Sequence, residues 1–391
     1  MTTRRGLACC GIALTTLLLA GCTTESSPDG WLLSPLTVND GSYGQETDIT
    51  AGIWNLSDDT AGGVWTESAG SWLGVAADGA ITRFNEETRY GVTALDIAAV
   101  NPTMLYVLRP LGSGVLNTTV ELFDTATRTS EPVLSGQRVR TSPDPTLPFT
   151  ADGTVTPDSP FGPITSIDVD PSGRLVFVER VDPQETGSGG YVVRRMTRDG
   201  ELETLAGTAD TALPGSSGDA APQPADGEQL RGRALSAASV DVSAGHQRGV
   251  VVGTEHGVFQ IETDGTARTI DGPLPADSPR RAALEYGPGY RVRLIDADEL
   301  GAVVLPTAVP PSAEQLDAAP VRVMGGSGRF RELVRGWDGG SWSGLAVHSD
   351  TMRATEALAR ARTAVWVAPG VLVAVVPGNG DDSGLARIEL P

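Results

Sequence analysis

The chain has 391 residues, and its 49 acidic and 29 basic side chains give a formal net charge of −20 at pH 7. This acidity argues against nucleic acids and anionic lipid headgroups as partners, because both repel a protein of like charge. All the cysteines, Cys9, Cys10 and Cys22, lie near the start of the chain, which excludes an intramolecular disulfide in the domain that follows.

The first 21 residues have the layout of an export signal. Arg4 and Arg5 stand without an acidic neighbour and precede an apolar run of 15 residues from Gly6 to Ala20. A helix needs about 20 residues to cross roughly 30 Å of hydrocarbon, so this run is too short for a resident span. We predict a signal peptide at 1–21. Its arginine pair also resembles a twin-arginine signal, so both that route and the general secretory route stay open.

The end of the apolar run carries a more specific motif. Leu19, Ala20, Gly21 and Cys22 resemble the lipobox of bacterial lipoproteins, in which the cysteine thiol receives a diacylglyceryl group. The resemblance implies a protein anchored through Cys22 on the extracytoplasmic face of the membrane, since acyl chains contribute about 0.8 kcal/mol per buried CH₂. An ordinary secretory signal that happens to contain a cysteine is the alternative. Residues 22–30 would form a short linker.

The chain as a whole has 48 Gly and 27 Pro, and with its short β-branched runs this composition is typical of an all-β protein. Its clearest unit, 164–208, contains four predicted strands. An Asp-Pro-Ser-Gly turn separates the first two strands, and Asp199 and Gly200 form a hairpin turn before the last.

Fainter copies of this unit recur along the chain. Four-stranded units of this length cannot bury both faces alone, and a ring of such units is a β-propeller. We therefore predict one propeller domain at 31–391 with six four-stranded blades. The predicted blades lie near 52–91, 92–137, 164–208, 234–272, 290–336 and 341–391.

The stretch from Leu205 to Leu230 resembles the connection between blades in NHL-repeat propellers. The pattern holds from about Ile164 to Gly272, which implies an NHL-like propeller. The residues that match it are Gly207, Gly215, Gly218, Asp219, Gln229 and Leu230.

Two segments interrupt the repeat. Residues 138–163 carry six prolines and are expected to form an extended loop between blades. Residues 351–363 have helical composition, which predicts a short helical insertion near the C-terminus.

Four aspartates align in the predicted inner strands, with Asn55 and Trp366 at the same position in the first and last units. In a propeller this strand lines the central channel. Converging carboxylates would repel one another unless they were hydrated, partly protonated or shared by a cation such as Ca²⁺. The alternative is that each accepts hydrogen bonds from the backbone of its own or the next blade. The four candidate ligand or metal residues are Asp96, Asp168, Asp241 and Asp296.

The spacing of Asp168, Asp170, Ser172, Gly173 and Glu179 matches an EF-hand calcium loop. An EF-hand loop joins two helices, whereas the sequence on both sides of this one is β-branched. We therefore expect a β-hairpin here.

The seven tryptophans fall into one group near the start of the chain and one near its end. The first and last blades of a closed ring are neighbours, so we expect an aromatic seam that seals the closure or stacks on a sugar or another apolar ligand. The candidate seam residues are Trp54, Trp65, Trp342 and Trp366.

Two functions fit these features. The first is a membrane-anchored binding or scaffolding propeller that recognises a protein or glycan. The second is a channel-centred metal-dependent enzyme of lactonase, lyase or hydrolase type that uses the aligned aspartates. With only three histidines and no HExxH or GxSxG motif, the sequence shows no recognisable acid–base or nucleophile set, which favours the first function.

Overall fold

The computed structural model describes residues 32–36, 55–68, 71–85, 94–111, 118–136, 150–180, 189–208, 224–237, 240–244, 249–254, 257–271, 291–298, 301–307, 322–324, 330–332, 363–368, 371–377 and 383–389. Within these ranges the regular elements are β-strands and none is a helix. The predicted all-β class is confirmed for this part of the chain.

The described strands form six antiparallel sheets. Sheet 1 contains β2 (Ser57–Asp58), β3 (Val64–Ser68), β4 (Ser71–Val75) and β5 (Ile81–Asn85). Sheet 2 contains β6 (Asp96–Asn101), β7 (Met104–Pro110), β8 (Thr118–Asp124) and β9 (Thr129–Gly136). Sheet 3 contains β10 (Gly153–Thr154), β11 (Ile164–Val169), β12 (Leu175–Arg180), β13 (Gly189–Met196), β14 (Glu201–Ala206) and β15 (Leu235–Ala237).

The other three sheets have four strands each. Sheet 4 contains β16 (Val240–Ser243), β17 (Gly249–Thr254), β18 (Gly257–Glu262) and β19 (Ala267–Asp271). Sheet 5 contains β20 (Arg291–Asp298), β21 (Gly301–Thr307), β22 (Arg322–Met324) and β23 (Phe330–Glu332). Sheet 6 contains β24 (Thr363–Ala368), β25 (Val371–Pro377), β26 (Ser383–Glu389) and, at its outer edge, β1 (Leu32–Leu36).

The position of a strand within its sheet explains its sequence pattern. The first five residues of β12, LVFVE, are all buried, because a second strand is covered by neighbouring sheets on both faces. The outer strand β5 exposes most of its residues and buries Phe84. A continuous buried run therefore marks the second strand β12, and a mostly exposed pattern marks the outer strand β5.

The predicted hairpin at Asp199 and Gly200 is present. The Gly200 N–H donates to the Thr197 carbonyl at 3.0 Å, and Gly200 has a φ of +85°. A Cβ at this position would lie 2.6 Å from the Val155 carbonyl oxygen, so the turn requires glycine both for its conformation and for space.

The inner strands contact one another in a closed circuit. Each of β2, β6, β11, β16 and β20 touches the next one along the chain, and β24 touches β2 again. Sheets arranged radially around a common axis produce this pattern, so the fold is propeller-like.

Strand β1 completes the last sheet from the other end of the chain. Residues Leu32–Leu36 pair antiparallel with 385–389 of β26 over five positions. The unit expected near 341–391 therefore supplies three strands of sheet 6, and the fourth comes from the N-terminal side. The predicted helical insertion, apart from Thr363 in β24, lies outside the described residues.

Sheet 3 carries two additional strands. Gly153 and Thr154 of β10 come from the proline-rich segment and pair with the outer strand β14, while β15 pairs with the start of β13. Part of the segment predicted as a loop therefore covers the outer edge of sheet 3, which would otherwise be open to pairing with another chain.

The core consists of separate apolar layers between adjacent sheets. Neighbouring residues on β3 point to opposite faces, so Val64 packs towards sheet 6 while Trp65 packs towards sheet 2. Trp72 of β4 lies in the same layer as Trp65, and its ring stacks on Phe123 of sheet 2 with centroids 4.6 Å apart.

This packing places Trp65 away from the predicted aromatic seam. Trp65 lies between sheets 1 and 2, and its Nε1–H donates to the Pro102 carbonyl in sheet 2 at 3.0 Å. The described layer between sheets 1 and 6 is aliphatic and includes Val64, Val365 and Val373. Trp366 lies in β24, and Trp54 and Trp342 lie outside the described residues. Position along the chain identified the neighbouring sheets, but the pleat determines which face each ring occupies.

Candidate functional site

The register of the inner strands separates the predicted aspartates into two positions. Asp96 and Asp241 each lie opposite a residue twelve positions later in the chain. Asp168 lies opposite Val176, eight positions later, so it stands two residues further along its strand. Ser166 holds the position in sheet 3 that corresponds to Asp96. The sequence alignment placed Asp96 and Asp168 at one position, but the two strands differ in length beyond them. Strand β6 continues five residues past Asp96, whereas β11 ends one residue after Asp168.

The two remaining inner-strand candidates also differ in position. Asp296 falls at the register shift of β20 between Ile295 and Ala297. Trp366 lies opposite Leu372, six positions later, so it is not equivalent to Asn55. Asn55 directs its amide to the chain entering sheet 2, with Nδ2–H donating to the Ala94 carbonyl at 2.8 Å.

Asp96 joins sheet 2 to sheet 3. One carboxylate oxygen accepts the Ile167 N–H of β11 at 3.0 Å and lies 3.4 Å from the Ser166 hydroxyl. The other oxygen accepts the N–H of Ile97 in its own strand at 3.1 Å. This is the backbone-bonding arrangement that the sequence left open as the alternative to a metal site.

Asp168 makes the corresponding link from sheet 3 to sheet 4. Its carboxylate accepts the N–H of Val169 at 2.7 Å and the N–H of Ala244, beyond β16, at 2.5 Å. Two serines repeat the pattern, since Ser57 accepts the Ala99 N–H at 2.9 Å and Ser166 accepts the Val242 N–H at 3.3 Å. Each link satisfies a backbone donor that a neighbouring sheet would otherwise leave unpaired.

A small cavity of about 60 Å³ lies where these inner strands meet. Its volume suffices for one or a few water molecules. Within the part of the chain that the structure describes, no three His, Cys, Asp or Glu side chains are grouped so as to hold a metal ion. The polar residues that line the cavity are Ser57, Asp58, Asp96, Ser166, Asp168, Asp241 and Ser243.

Asp168→Ala is expected to lower the free energy of unfolding by about 1–3 kcal/mol, because the buried Ala244 N–H loses its acceptor. Asp168→Asn, which keeps a carbonyl oxygen, should lose less. Urea denaturation measures both, with Asp158→Ala in an exposed turn as the control. The calcium content of the wild-type and Asp168→Ala proteins is measured in parallel. An equivalent of Ca²⁺ that disappears with the substitution would instead identify a channel metal site.

The segment with EF-hand spacing is a β-hairpin between β11 and β12, as expected. Asp170 binds its own turn, accepting the N–H groups of Ser172 at 2.9 Å and Arg174 at 3.0 Å. Glu179 is fully buried and accepts the Gly162 N–H at 2.7 Å. These two carboxylates are used to hold the fold.

The described ends of the stretch 205–230 link sheet 3 to sheet 4. The Gly207 N–H donates to the Leu230 carbonyl at 3.0 Å, and Leu230 is fully buried. Gln229 bridges to Thr266, and its amide Nε2 lies 3.4 Å from the Asp264 carbonyl oxygen in sheet 4. Gly215, Gly218 and Asp219 lie outside the described residues.

A second, larger cavity lies against this connection, and we call it the charged cleft. It has a volume of about 360 Å³ and is bordered by sheet 3, the 229–231 segment and sheet 4. Its side-chain lining consists of Arg195, Glu203, Thr204, Leu205, Gln229, Arg231, Val250, Ile261, Glu262, Thr263 and Asp264.

The sequence analysis did not predict this cleft, although one pair of charged residues in the sequence indicated part of it. Arg195 and Glu203 have opposite charges and are cross-strand partners on either side of the predicted Asp199–Gly200 turn. Their side chains form an ion pair at 2.6 Å. The approach of Arg231 and of sheet 4 depends on pairing between distant segments and has no local signature.

The chain was also compared with known proteins. No family model and no curated protein matches it. A Bacteroides thetaiotaomicron protein of unknown function is 10% identical, with 92% of this chain and 76% of that chain aligned and a TM-score of 0.49. A Xanthomonas campestris gluconolactonase is 12% identical over 94% and 92% of the two chains, with a TM-score of 0.42. An oligogalacturonate lyase solved with manganese is 10% identical over 94% and 95%, with a TM-score of 0.40.

Similarity at these identities and TM-scores does not indicate an activity for this chain. Among the described residues, no helix has the length and apolar character to cross a membrane. The function must therefore be argued from the geometry of the inner strands and the cleft.

Proposed function

We propose that this chain is a bacterial lipoprotein, anchored through Cys22 on the extracytoplasmic face of the membrane, whose NHL-like propeller serves as a rigid binding module. The six sheets would be six blades, and the closed circuit of inner-strand contacts supports that number. The expected partners are the membrane, through the lipid, and a protein or glycan ligand.

The observation that best supports a binding function is that the inner-strand carboxylates are hydrogen-bonded to the backbone. Asp96 and Asp168 each accept backbone N–H groups from their own strand and from the next sheet. These hydrogen bonds link neighbouring sheets, so the two carboxylates serve to hold the ring together. The inner strands thus hold neighbouring sheets together, and the ligand is expected to bind on the outer surfaces.

The position of β1 limits the distance between the proposed anchor and the domain. Only nine residues separate Cys22 from Leu32, the first residue of β1. Fully extended, they span about 30 Å at most. Since β1 lies at the edge of sheet 6, the propeller would stay close to the membrane surface.

Cys22→Ser is expected to move the protein from the membrane fraction to the soluble exported fraction, because the acylated thiol is lost. Immunoblotting of fractions washed with high salt measures this. The matched control is Cys10→Ser, which lies in the predicted leader and should leave the protein in the membrane fraction. Retention of the Cys22→Ser protein after the salt wash would contradict the anchor.

A channel-centred, metal-dependent enzyme of lactonase, lyase or hydrolase type is the second candidate. It is favoured by the four carboxylates, of Asp58, Asp96, Asp168 and Asp241, that line one cavity. Equilibrium dialysis against Ca²⁺ separates the two functions. Stoichiometric binding that requires Asp168 supports the enzyme, and its absence supports the binding module.

A further inference from the structure

The charged cleft contains polar groups that are already held in place. The Arg195 Nη2 lies 2.6 Å from one Glu203 oxygen, and the Arg231 Nη2 lies 3.1 Å from the other. The Arg231 Nε–H also donates to the Thr204 carbonyl at 2.8 Å. Glu203 therefore lies between two guanidinium groups. A ligand in the cleft would contact hydrogen-bond donors and acceptors whose positions are already fixed. Such preorganisation reduces the entropy lost on binding.

The charges of the cleft argue against an ionic ligand. Its lining has two arginines, Arg195 and Arg231, and three carboxylates, so it offers no excess positive charge to a phosphate; the carboxylates are those of Glu203, Glu262 and Asp264. The other carboxylates also have partners. Glu262 pairs with Arg268 at 3.2 Å, and hydrogen bonds from the Thr266 hydroxyl and N–H hold the pKa of Asp264 below its usual range. Both carboxylates are therefore already engaged by other groups of the protein.

An apolar strip, formed by Leu205, Val250 and Ile261, lies next to these polar groups. Val250 and Ile261 are buried beneath the cleft, and Leu205 lies beside them. At Gly249 the lining is bare backbone, and no side chain fits there because a Cβ would lie 1.9 Å from the Ile261 carbonyl oxygen. The cleft volume of about 360 Å³ lies within the range of roughly 300–1,000 Å³ typical of small-ligand sites.

We propose that the charged cleft between sheets 3 and 4 binds a neutral saccharide. A pyranose ring has an apolar C–H face that can contact the half-buried Leu205. Its vicinal hydroxyls can bond to the guanidinium groups of the two arginines and to the Glu203 carboxylate. Hydroxyls both donate and accept, so they satisfy paired Arg and Glu groups without separating them. The inference rests on the proposed binding function and names its site and ligand class.

Saturation-transfer NMR on the full lipoprotein tests this, in a detergent without a sugar headgroup. The neutral probes are N,N′-diacetylchitobiose, cellobiose and maltose, and the ionic probes are glucose 6-phosphate and spermidine. We expect transfer to the ring C–H protons of at least one neutral probe. Arg231→Ala should weaken its affinity about tenfold, which corresponds to the loss of one charge-assisted hydrogen bond.

Two further variants make the result specific to the cleft. Thr263→Trp, at an exposed lining position, should block binding by filling the entrance, whereas Arg83→Ala on the exposed face of β5 should leave affinity unchanged. The inference is overturned by transfer to none of the neutral probes, by transfer to the ionic probes alone, or by equal affinity in wild-type, Arg231→Ala and Thr263→Trp proteins. Fractionation of the same preparation reports the anchor independently, so failure here is distinguishable from failure of the proposed function.

Discussion

Replacing Glu179 with alanine is expected to lower the free energy of unfolding by about 3–5 kcal/mol, because it leaves the guanidinium of Arg194 buried without its counter-charge. Both side chains are inaccessible, with exposures of 0% and 1%, and they lie 2.7 Å apart. Glu179 also accepts the Gly162 N–H, so the substitution removes two interactions. With typical domain stabilities of about 5–15 kcal/mol, such a loss is a large part of the total.

Guanidinium denaturation of the purified protein measures this loss. Glu203→Ala is the matched control, since Glu203 pairs with Arg195 and Arg231 at the surface and should cost less than about 1 kcal/mol. Replacing both buried partners, as in Glu179→Met with Arg194→Leu, should restore much of the stability. A Glu179→Ala protein as stable as the Glu203→Ala control would show that water or another group solvates Arg194.

The domain is expected to remain on the membrane after the chain is cut between β1 and sheet 1. Five backbone pairs join β1 to β26, and hydrogen bonds of about 0.5–1.5 kcal/mol each make this pairing worth several kcal/mol. The anchored β1 should therefore hold the domain without a covalent link. A protease site inserted between residues 36 and 55 tests this by fractionation after digestion.

The control places the same protease site between Cys22 and Trp31, where cleavage should release the whole domain. Mild urea should then release the domain cut after β1, because only strand pairing retains it. Equal release of the two cleaved proteins before urea would show that β1 does not hold the domain. If neither uncut protein reaches the membrane fraction, the anchor proposal fails instead.

Much of the fold could be predicted from local sequence. The unit at 164–208 corresponds to β11–β14, and its turn at Asp199 and Gly200 has the predicted position. Hairpins of this kind join neighbouring strands, so apolar runs, alternating runs and turn residues lie within a few positions of each other. The blade boundaries depend on the same local signals.

Pairing between distant residues was not predictable in this way. The membership of β1 in sheet 6 depends on contacts across nearly the whole chain, and its five residues carry no repeat pattern. The displacement of Asp168 relative to Asp96 depends on how far each strand continues before its turn, which repeat similarity does not specify. The charged cleft combines both difficulties, because Arg231 and Val250 reach it from separate segments.

The pairing of β1 with β26 also determines when the ring can close during synthesis. Leu36 pairs with Leu385, 349 positions later. At roughly 5–20 residues per second, β26 is made about 20–70 s after β1. Throughout that interval β1 is an unpaired edge, and Pro35, which lacks an N–H, limits its pairing with other chains. A truncated translation product that lacks β26 would leave the edge of β1 open, so it would be more prone to intermolecular strand pairing than the finished chain.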